Sequence, residues 1–257
     1  MQAVLRGLPR GRNPMAGRCI QGDSTHPATW TRLLGARQGD VLITDPPYCL
    51  LVRRRKGGDE REAKGRKNDT GPVVRRFEDV REYREFTRAW LGEAVRHLAP
   101  GAPLIVWTNL LGREPITTAA RALGYAHQFG EFVWGKRTRQ SNSGEELLRV
   151  VETALVFSPM APAPPALDAP AVPWAAVAGY DDDGEAERWG NHPNHKPFGV
   201  LEPLVRTWSR PGQLIVDPFA GSGSIPAAAT RLGRDTACVE LDPEWAARVS
   251  ARLEATP

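Results

Sequence analysis

The sequence is poor in cysteine and contains no long apolar run. Its three cysteines, Cys19, Cys49 and Cys238, are far apart in the chain and form no CxxC pair. This spacing argues against a disulfide framework and a zinc site, so we expect reduced thiols, a cytoplasmic protein and no metal. No apolar stretch has the length of a membrane span, and the N-terminus lacks the apolar segment of a signal peptide. We therefore expect no membrane anchor.

The chain also lacks a strong excess of one charge. It has 34 Lys and Arg residues against 30 Asp and Glu, a formal charge of +4 and a pI near 9.2. A balance this mild does not indicate a nucleic-acid partner by itself, although a local basic cluster still can. The hydrophobic fraction of 41% is ordinary for a globular protein, and 257 residues allow one large α/β domain or two small ones.

Short apolar runs alternate with segments of helical periodicity. The runs VLIT, PLIVW, FGEFVW, VVETALVF, QLIVD and DTACVEL predict strands, and a polar loop, GKRTRQSNSGEE, separates the third from the fourth. Apolar residues at helical spacing predict helices at 83–98, 113–123 and 198–208, among others. The alternation predicts an α/β fold with a mostly parallel sheet and helices on both faces.

Composition divides the chain into four segments. The first is a leader in which Met15 is an alternative start, and the third is rich in Pro and Ala and then acidic, which indicates an irregular connection. The second and fourth carry the strand and helix patterns, and 53–79 within the second predicts a long exposed loop. The four segments are residues 1–17, 18–157, 158–190 and 191–257.

The first predicted strand ends abruptly at Asp45-Pro46-Pro47-Tyr48. Two prolines make a stiff corner, because Pro fixes its own φ and pushes the residue before it into an extended conformation. Such a corner is either a rigid turn or a support that holds a carboxylate and an aromatic ring in place for chemistry. The tetrapeptide alone leaves both interpretations open.

A second signature, LIVDPFAGSGS, runs from a strand through a glycine-rich turn into a helix. Gly221 and Gly223 allow a tight turn and a close approach to a ligand. Glu240 closes the next strand about twenty residues on, where an acid hydrogen-bonds a ribose hydroxyl. Pro226 stands where a dinucleotide fingerprint has its third glycine, which disfavours a pyrophosphate. An adenosine cofactor without phosphates fits better, and Asp217 suits a cationic one.

Both signatures follow strand C-termini, where open α/β sheets bind ligands. With CIQGDS, FVWGK, VVETALVFS, NHPNHKP and VELDPEW around them, they occur in a fixed order along most of the chain. In that order the chain resembles the amino-directed DNA methyltransferases that use S-adenosylmethionine, in the permuted arrangement called the β class. The resemblance implies a Rossmann-like methyltransferase fold with double-stranded DNA as substrate.

The resemblance implies a catalytic role for the tetrapeptide. Asp45 and the carbonyl of Pro46 would accept the two N–H groups of an exocyclic amino group and free its lone pair. Pro47 would hold that carbonyl in line, and Tyr48 would stack on a base rotated out of the duplex. The methyl group would come from a sulfonium, so no metal and no covalent enzyme intermediate are needed.

A cofactor site is also implied by the resemblance. Its expected members are Phe219, Gly221 and Gly223 on the methionine side, Glu240 at the ribose, Asp23 near the adenine, and His195 and Lys196 at the carboxylate end, with Asp45, Asp217 and Ser224 completing the set. Alternatives remain open for four of them. Asp23 could be a helix N-cap, His195 and Lys196 could shape a turn, and Asp217 could orient the loop.

Two basic segments are candidate DNA contacts. Residues 53–67 carry eight basic and three acidic side chains directly after the tetrapeptide, which favours phosphate contact over a merely solvated loop. KRTRQSN, residues 136–142, offers side chains that could read base edges. The expected DNA-binding residues are Arg53, Arg54, Arg55, Lys56, Lys64, Arg66, Lys67, Lys136, Arg137 and Arg139.

Adenine N6 is the expected target, because Asp in the tetrapeptide is more typical of adenine enzymes and Ser of cytosine-N4 enzymes. A cytosine-N4 enzyme, a nicotinamide oxidoreductase and an inactive DNA-binding module remain alternatives; the oxidoreductase would leave DPPY unexplained. Target recognition in the family lies mostly in the region that corresponds to 158–190, which is short here. A homodimer, a partner protein or a cognate restriction enzyme could therefore take part.

Overall fold

The structure is a computed structural model that describes residues 17–52, 75–139, 145–159, 175–177 and 184–256; at 129, 136–139, 145–150 and 175–177 it describes the backbone alone. Its eight strands are β1 (Arg18–Gln21), β2 (Val41–Thr44), β3 (Leu104–Thr108), β4 (His127–Arg139), β5 (Glu145–Ser158), β6 (Ala175–Val177), β7 (Leu214–Asp217) and β8 (Asp235–Glu240). The helices within these ranges are α1 (Pro27–Leu34), α2 (Val80–Arg96), α3 (Arg113–Ala122), α4 (Glu185–Arg188), α5 (Phe198–Trp208), α6 (Ser224–Arg231) and α7 (Pro243–Glu254). None of the described helices is long and apolar enough to cross a bilayer.

All described strands join one sheet in the order β1-β8-β7-β2-β3-β5-β4-β6. The first five are mutually parallel, β5 runs antiparallel to β3, and β4 runs antiparallel to β5. The chain leaves β7 toward β8 on one side and leaves β2 toward β3 on the other. The gap between β2 and β7 is therefore a topological switch point, where such sheets bind ligands beyond the strand C-termini.

Helices cover both faces of the sheet, as the sequence predicts. Along β2, Leu42 packs with α1, α2 and α3, whereas Val41 and Ile43 face the opposite side with α5 and α6. This alternation follows from the two-residue period of a strand. Because both faces are covered, every residue of β2, β3 and β7 is buried, which explains their continuous apolar runs.

The predicted polar loop between β4 and β5 is shorter in the structure than in the sequence analysis. The loop prediction covered 135–146, but β4 continues to Arg139 and β5 begins at Glu145. Arg139 pairs with Glu145 across the hairpin, with a register shift between Gly135 and Arg137. Antiparallel pairing satisfies the backbone polar groups whatever the side chains are, so a polar composition did not end the strands.

Four short elements, β1, α1, β6 and α4, have no clear signal in the sequence. β1 is an edge strand that pairs in parallel with β8, so its partner lies more than 200 residues away in the chain. β6 and α4 lie in the segment expected to be an irregular connection. Of the predicted exposed loop 53–79, residues 53–74 lie outside the described part. The exposed-loop prediction is wrong at Phe77, which is buried and forms a β-bridge with Leu51.

Candidate active site

A cavity of about 200 Å³ opens at the switch point, beyond the C-terminal ends of β2, β7 and β8. The expected site residues Asp23, Asp45, Pro47, Tyr48, Phe219, Gly221 and Glu240 all line it. Residues that the sequence analysis did not single out also take part: Gly22, Ser24, Leu50, Arg75, Phe86, His192, Pro193, Asn194, Pro218 and Leu241. The two signatures, about 170 residues apart in the chain, thus share one cavity.

Asp45 stands at the end of β2 with its side chain 9% exposed. Its Oδ2 atom accepts a hydrogen bond from Nζ of Lys196 at 2.7 Å, while Oδ1 is buried and accepts none from the residues that the structure describes. Pro46 is buried behind it. After the tetrapeptide, Nδ2 of Asn109 donates to the carbonyl of Cys49, which fastens this segment to the end of β3.

Tyr48 and Lys196 meet at a third residue, Glu152 of β5. The hydroxyl of Tyr48 donates to Oε2 of Glu152 at 2.8 Å, and Nζ of Lys196 donates to the same oxygen at 2.7 Å. Lys196 is 1% exposed. The family resemblance implies a position at the carboxylate end of a cofactor for this lysine, and in the structure its ammonium group contacts Asp45. Glu152 was not anticipated, although an acid inside an apolar strand is a signal for a paired buried charge.

Burial is the largest single influence on the pKa values of Asp45, Lys196 and Tyr48. It raises the pKa of Asp45; the Lys196 charge opposes that rise and the Glu152 charge adds to it. Burial lowers the pKa of Lys196, but the charges of Asp45 and Glu152 outweigh it and the pKa ends above its ordinary value. Burial, followed by the same two carboxylates, raises the pKa of Tyr48 well above its ordinary value. The lysine therefore stays protonated among two acids and a neutral phenol.

The glycine-rich turn closes onto Glu240. The N–H of Gly221 donates to Oε2 of Glu240 at 2.8 Å, and the N–H of Asp242 donates to Oε1 at 2.9 Å. Gly221 has φ +52°, and a Cβ there would lie 3.1 Å from the ring of His192. Burial raises the pKa of Glu240, and these backbone donors work against the rise. The turn and the acid thus form one wall of the cavity.

Asp217 lies beneath the turn and does not line the cavity. Its Oδ1 atom accepts from the hydroxyl of Thr44 at 2.7 Å and from the N–H of Phe219 at 3.1 Å. The side chain is buried, which is the main reason why the pKa of Asp217 rises to about 7. This geometry agrees with the loop-orienting alternative, since the carboxyl ties β2 to the start of the turn.

Phe219 and Asp23 both line the cavity. The Phe219 ring packs edge to face against Trp90 of α2 at 5.2 Å between ring centroids. Oδ1 of Asp23 accepts from the N–H and the hydroxyl of Thr25. The N-cap of α1 is His26, so Asp23 is not the cap, and its carboxylate lines the cavity instead.

The lining of the cavity has more acidic than basic side chains. Asp23, Asp45 and Glu240 contribute carboxylates, and Arg75 contributes a guanidinium whose Cζ lies 4.2 Å from the ring centroid of Phe86. Burial, with the nearby His195 and Lys196, lowers the pKa of His192 to about 4, so this ring is neutral at pH 7. A cavity with this balance favours a cationic ligand over a phosphate.

Some expected residues lie elsewhere. Ser224 and Lys196 line a smaller adjoining cavity of about 30 Å³ that shares Asp45 with the first, whereas Pro46, Gly223 and His195 line neither. The expected DNA contacts Arg53, Arg54, Arg55, Lys56, Lys64, Arg66 and Lys67 lie outside the described residues, as do the side chains of Lys136, Arg137 and Arg139.

Comparison with known proteins agrees with the geometry. Residues 40–250 match the family model N6_N4_Mtase, described as DNA methylase. YubD of Escherichia coli K12, described as a methylase, is 28% identical over 241 residues, which cover 93% of this chain and 90% of YubD. This family match confirms the resemblance that the motifs predicted.

Two solved structures have the same fold. The complex of M1.HpyAVI with SAM has a TM-score of 0.61 at 14% identity and covers 92% of this chain and 98% of that one. The cytosine-N4-specific PvuII DNA methyltransferase has a TM-score of 0.64 at 18% identity, and the match covers 92% of this chain and 86% of that one. The chain belongs to the N6/N4 family of DNA methylases and has their Rossmann-like methyltransferase fold.

Proposed function

We propose that this methylase transfers a methyl group from S-adenosylmethionine to N6 of an adenine rotated out of double-stranded DNA. The observation that carries the proposal is the shared cavity. Asp45 at the end of β2 and Glu240 at the end of β8 line it together with the Gly221 turn. An acceptor for an amino group and an acceptor for a ribose thus face the same space.

The position of Asp45 suits the activation of an amino group. An exocyclic amine is a poor nucleophile, because its lone pair is delocalised into the base. The free Oδ1 of Asp45 can accept one N–H and the Pro46 carbonyl the other, which draws the nitrogen toward tetrahedral geometry. The ring of Tyr48 lines the cavity and offers the base a stacking surface.

The cavity fits S-adenosylmethionine in charge and in hydrogen bonding. Its three carboxylates suit a sulfonium. The absence of a side chain at Gly221 leaves space beside the His192 ring, which a Cβ would approach to 3.1 Å. Glu240 accepts the backbone N–H groups of Gly221 and Asp242, and a carboxylate has further lone pairs for a ribose hydroxyl. When bound, the cofactor supplies a methyl group on a cationic sulfur, which keeps the C–S electron pair as the methyl leaves. The protein residues align the amine with that methyl group.

Adenine is preferred over cytosine because of Asp45. Asp at this position of the tetrapeptide is more typical of adenine enzymes, as the family resemblance implies. Cytosine N4 is the second candidate, since the two amino groups have the same chemistry and the PvuII enzyme, which is cytosine-N4-specific, has the same fold. The nicotinamide alternative is not supported, because the family match covers the catalytic tetrapeptide and the cofactor turn together.

We further propose that the two basic segments hold the duplex and that recognition is modest in length. The region 158–190, where family members recognise their targets, is short and rich in proline. A second copy of the chain or a separate partner would enlarge the recognition surface. Measuring the mass of the protein with and without DNA, by light scattering, distinguishes one copy from two.

The function is tested by incubating the protein with labelled S-adenosylmethionine and unmodified genomic DNA and identifying the methylated base by mass spectrometry. We expect N6-methyladenine, absent with Asp45→Ala. N4-methylcytosine would keep the mechanism and overturn the choice of base. No label on DNA from a protein that binds the cofactor would overturn the DNA assignment.

A further inference from the structure

Lys196 is the most deeply buried cation at the site, and the proposed methyl transfer gives it no role of its own. Its ammonium group lies 2.7 Å from Oδ2 of Asp45 and 2.7 Å from Oε2 of Glu152, and 4.7 Å from the centroid of the Trp107 ring. An isolated ammonium in this position would be strongly destabilised. Two carboxylates and an aromatic face compensate for that loss of hydration.

The contact with Lys196 makes the two oxygens of Asp45 different. Oδ2 is engaged by the ammonium group, while Oδ1 is buried and accepts no hydrogen bond from the described residues. Asp45 lines both the main cavity and the smaller one. Lys196 therefore holds the carboxylate by one oxygen and leaves the other for an incoming N–H donor.

Glu152 holds this arrangement from the far side of the lysine. Its Oε2 accepts from Lys196 and from the hydroxyl of Tyr48. The amine acceptor and the stacking ring are thus fastened to the same pair, which joins three parts of the chain: the end of β2, β5 and the residue before the N-cap of α5. None of these three parts follows another directly in sequence.

We propose that Lys196, held by Glu152, is a positioning residue for methyl transfer: it opposes protonation of Asp45 and fixes Oδ1 as the oxygen that meets the substrate amine. The proposal rests on the function proposed above. Lys196 does not touch the substrate, and Asp45 carries its effect.

The charges around Asp45 make such a residue necessary. Among the described residues Lys196 is the cation in direct contact with Asp45. Glu152, Tyr48, Asp217 and Tyr83 also interact with it, and Asp23, Arg75 and Glu240 line the same cavity. Burial and the Glu152 charge both favour a protonated Asp45, and the Lys196 charge opposes them. A protonated Asp45 would present a hydroxyl and lose the charge that draws on the amine hydrogens.

Substitutions of Lys196 and of Glu152 are expected to shift the pKa of Asp45 in opposite directions. Removing the positive charge with Lys196→Met raises the pKa of Asp45, and removing the negative charge with Glu152→Gln lowers it. A residue that only supports the fold would not give shifts of opposite sign. Lys196→Arg keeps the charge and is expected to leave the midpoint close to that of the wild type.

The direct test is a carbon-13 NMR titration of the Asp carboxyl carbons in the full-length protein, with the Asp45 signal assigned from Asp45→Ala. We expect Lys196→Met to raise the midpoint by one pH unit or more, about tenfold in proton affinity, and Glu152→Gln to lower it. Arg234→Met is the matched control: Arg234 is also buried, hydrogen-bonds Ser209, and is expected to leave the Asp45 midpoint unchanged.

The second readout is the pH profile of single-turnover methyl transfer. Because the carboxylate is the active form, the rate rises with pH through the Asp45 midpoint. Lys196→Met is expected to move this rise in rate to higher pH. At pH values below the midpoint, the rate of the variant is expected to be about tenfold lower than that of the wild type. Above the Asp45 midpoint of the variant, affinity for S-adenosylmethionine is expected to stay the same, because Asp45 is then a carboxylate and Lys196 does not line the main cavity.

Two outcomes would overturn the proposal: an unchanged Asp45 midpoint in Lys196→Met, or shifts of the same sign in both variants. An unchanged midpoint together with weaker cofactor binding would identify Lys196 as the cofactor contact that the sequence suggested. If Lys196→Met does not fold, the Asp45 midpoints of Glu152→Gln and Lys196→Arg test the proposal instead. The proposal predicts a lower midpoint in the first and an unchanged midpoint in the second. The titration uses neither cofactor nor DNA, so it can fail while the proposed function holds, and the reverse.

Discussion

Two glycines of the cofactor turn have a positive φ and leave little room for a Cβ atom. Gly221 and Gly223 have φ of +52° and +75°, a region that residues with a Cβ rarely adopt. A Cβ would lie 3.1 Å from the His192 ring at the first position and 3.1 Å from Cγ1 of Val249 at the second. The sequence pattern GSG therefore reflects both a conformational and a steric requirement.

Gly221→Ala is expected to weaken S-adenosylmethionine binding about tenfold, or about 1.4 kcal/mol, because the added methyl group lies 3.1 Å from the His192 ring and both residues line the cavity. The unfavourable φ should also lower the free energy of unfolding by about 1–2 kcal/mol. Calorimetry and urea unfolding measure the two effects. Gly212→Ala is the control: Gly212 has φ +80° with no atom within 4 Å, so it should lose stability and keep affinity. Unchanged affinity in Gly221→Ala would contradict this account of the turn.

Asp217 predicts a pH dependence of stability. Its pKa of about 7 in the folded chain lies above the ordinary value of 3.8, so between these values the folded state binds the extra proton. The contribution of Asp217 is therefore fully present below pH 4 and is lost as pH rises through about 7, with a slope of up to about 1.4 kcal/mol per unit. Asp217→Asn should flatten the curve of unfolding free energy against pH in that window. Urea unfolding from pH 4 to 8 measures this, and parallel curves for the two proteins would refute it.

The sequence predicted which residues are near the cavity better than what each one contacts. Asp45 and Glu240 end buried strands, so backbone geometry alone places them at the switch point. Lys196 was expected near the cofactor from the family resemblance, and the reach of its long side chain could not be read from its place in the chain. Its contact with Asp45 depends on tertiary packing of α5 against β2 and β5.

At the scale of elements, the strands that carry the signatures were predictable and the short elements were not. β2, β3 and β7 are nearly continuous apolar runs bounded by turn residues, and β8 has four buried residues between two acids; both patterns are local properties of the sequence. β1 forms only because β8 offers it an edge, and pairing between distant segments leaves no local trace. Propensity is a weak guide where pairing decides the structure.

Helix α7 offers an element-scale prediction. Asp242 caps it by accepting from the N–H groups of Glu244 and Trp245, and Trp245 packs edge to face against His192 at 4.6 Å. Asp242→Ala should therefore lower the free energy of unfolding by about 1 kcal/mol and the Tm by about 2–4 °C. Thermal unfolding measures the loss, and Asp242→Ser, which restores a cap acceptor, should recover most of it. Equal stability of the Ala and Ser variants would show that the cap is unimportant.

At the scale of the whole molecule, the sheet order brings together two halves that are distant in sequence. Because β2 and β7 are neighbours, the tetrapeptide and the glycine-rich turn meet at one cavity. This meeting followed from the rule that parallel α/β sheets bind ligands at the switch point. Target selection did not follow, since it depends on interactions with DNA that motif order does not encode.

The basic segment after the tetrapeptide predicts how DNA binding depends on salt. Replacing Arg53, Arg54, Arg55 and Lys56 with Gln should weaken binding to duplexes of any sequence. It should also reduce the slope of log K against log salt by about 0.9 for each phosphate that the variant no longer neutralises. Fluorescence anisotropy at several salt concentrations measures both, with S-adenosylmethionine affinity as the unchanged control. An unaltered slope would assign these side chains to solvent.

The central claim is that one cavity binds S-adenosylmethionine and uses Asp45 to activate a DNA amino group. The most direct measurement compares wild type and Asp45→Ala for labelled methyl transfer to DNA, with calorimetric cofactor binding on the same samples. The account predicts N6-methyladenine from the wild type, and from the variant a loss of transfer by about a thousandfold or more with cofactor affinity changed only slightly. Full transfer by Asp45→Ala, or no transfer by a wild type that binds the cofactor, would contradict it.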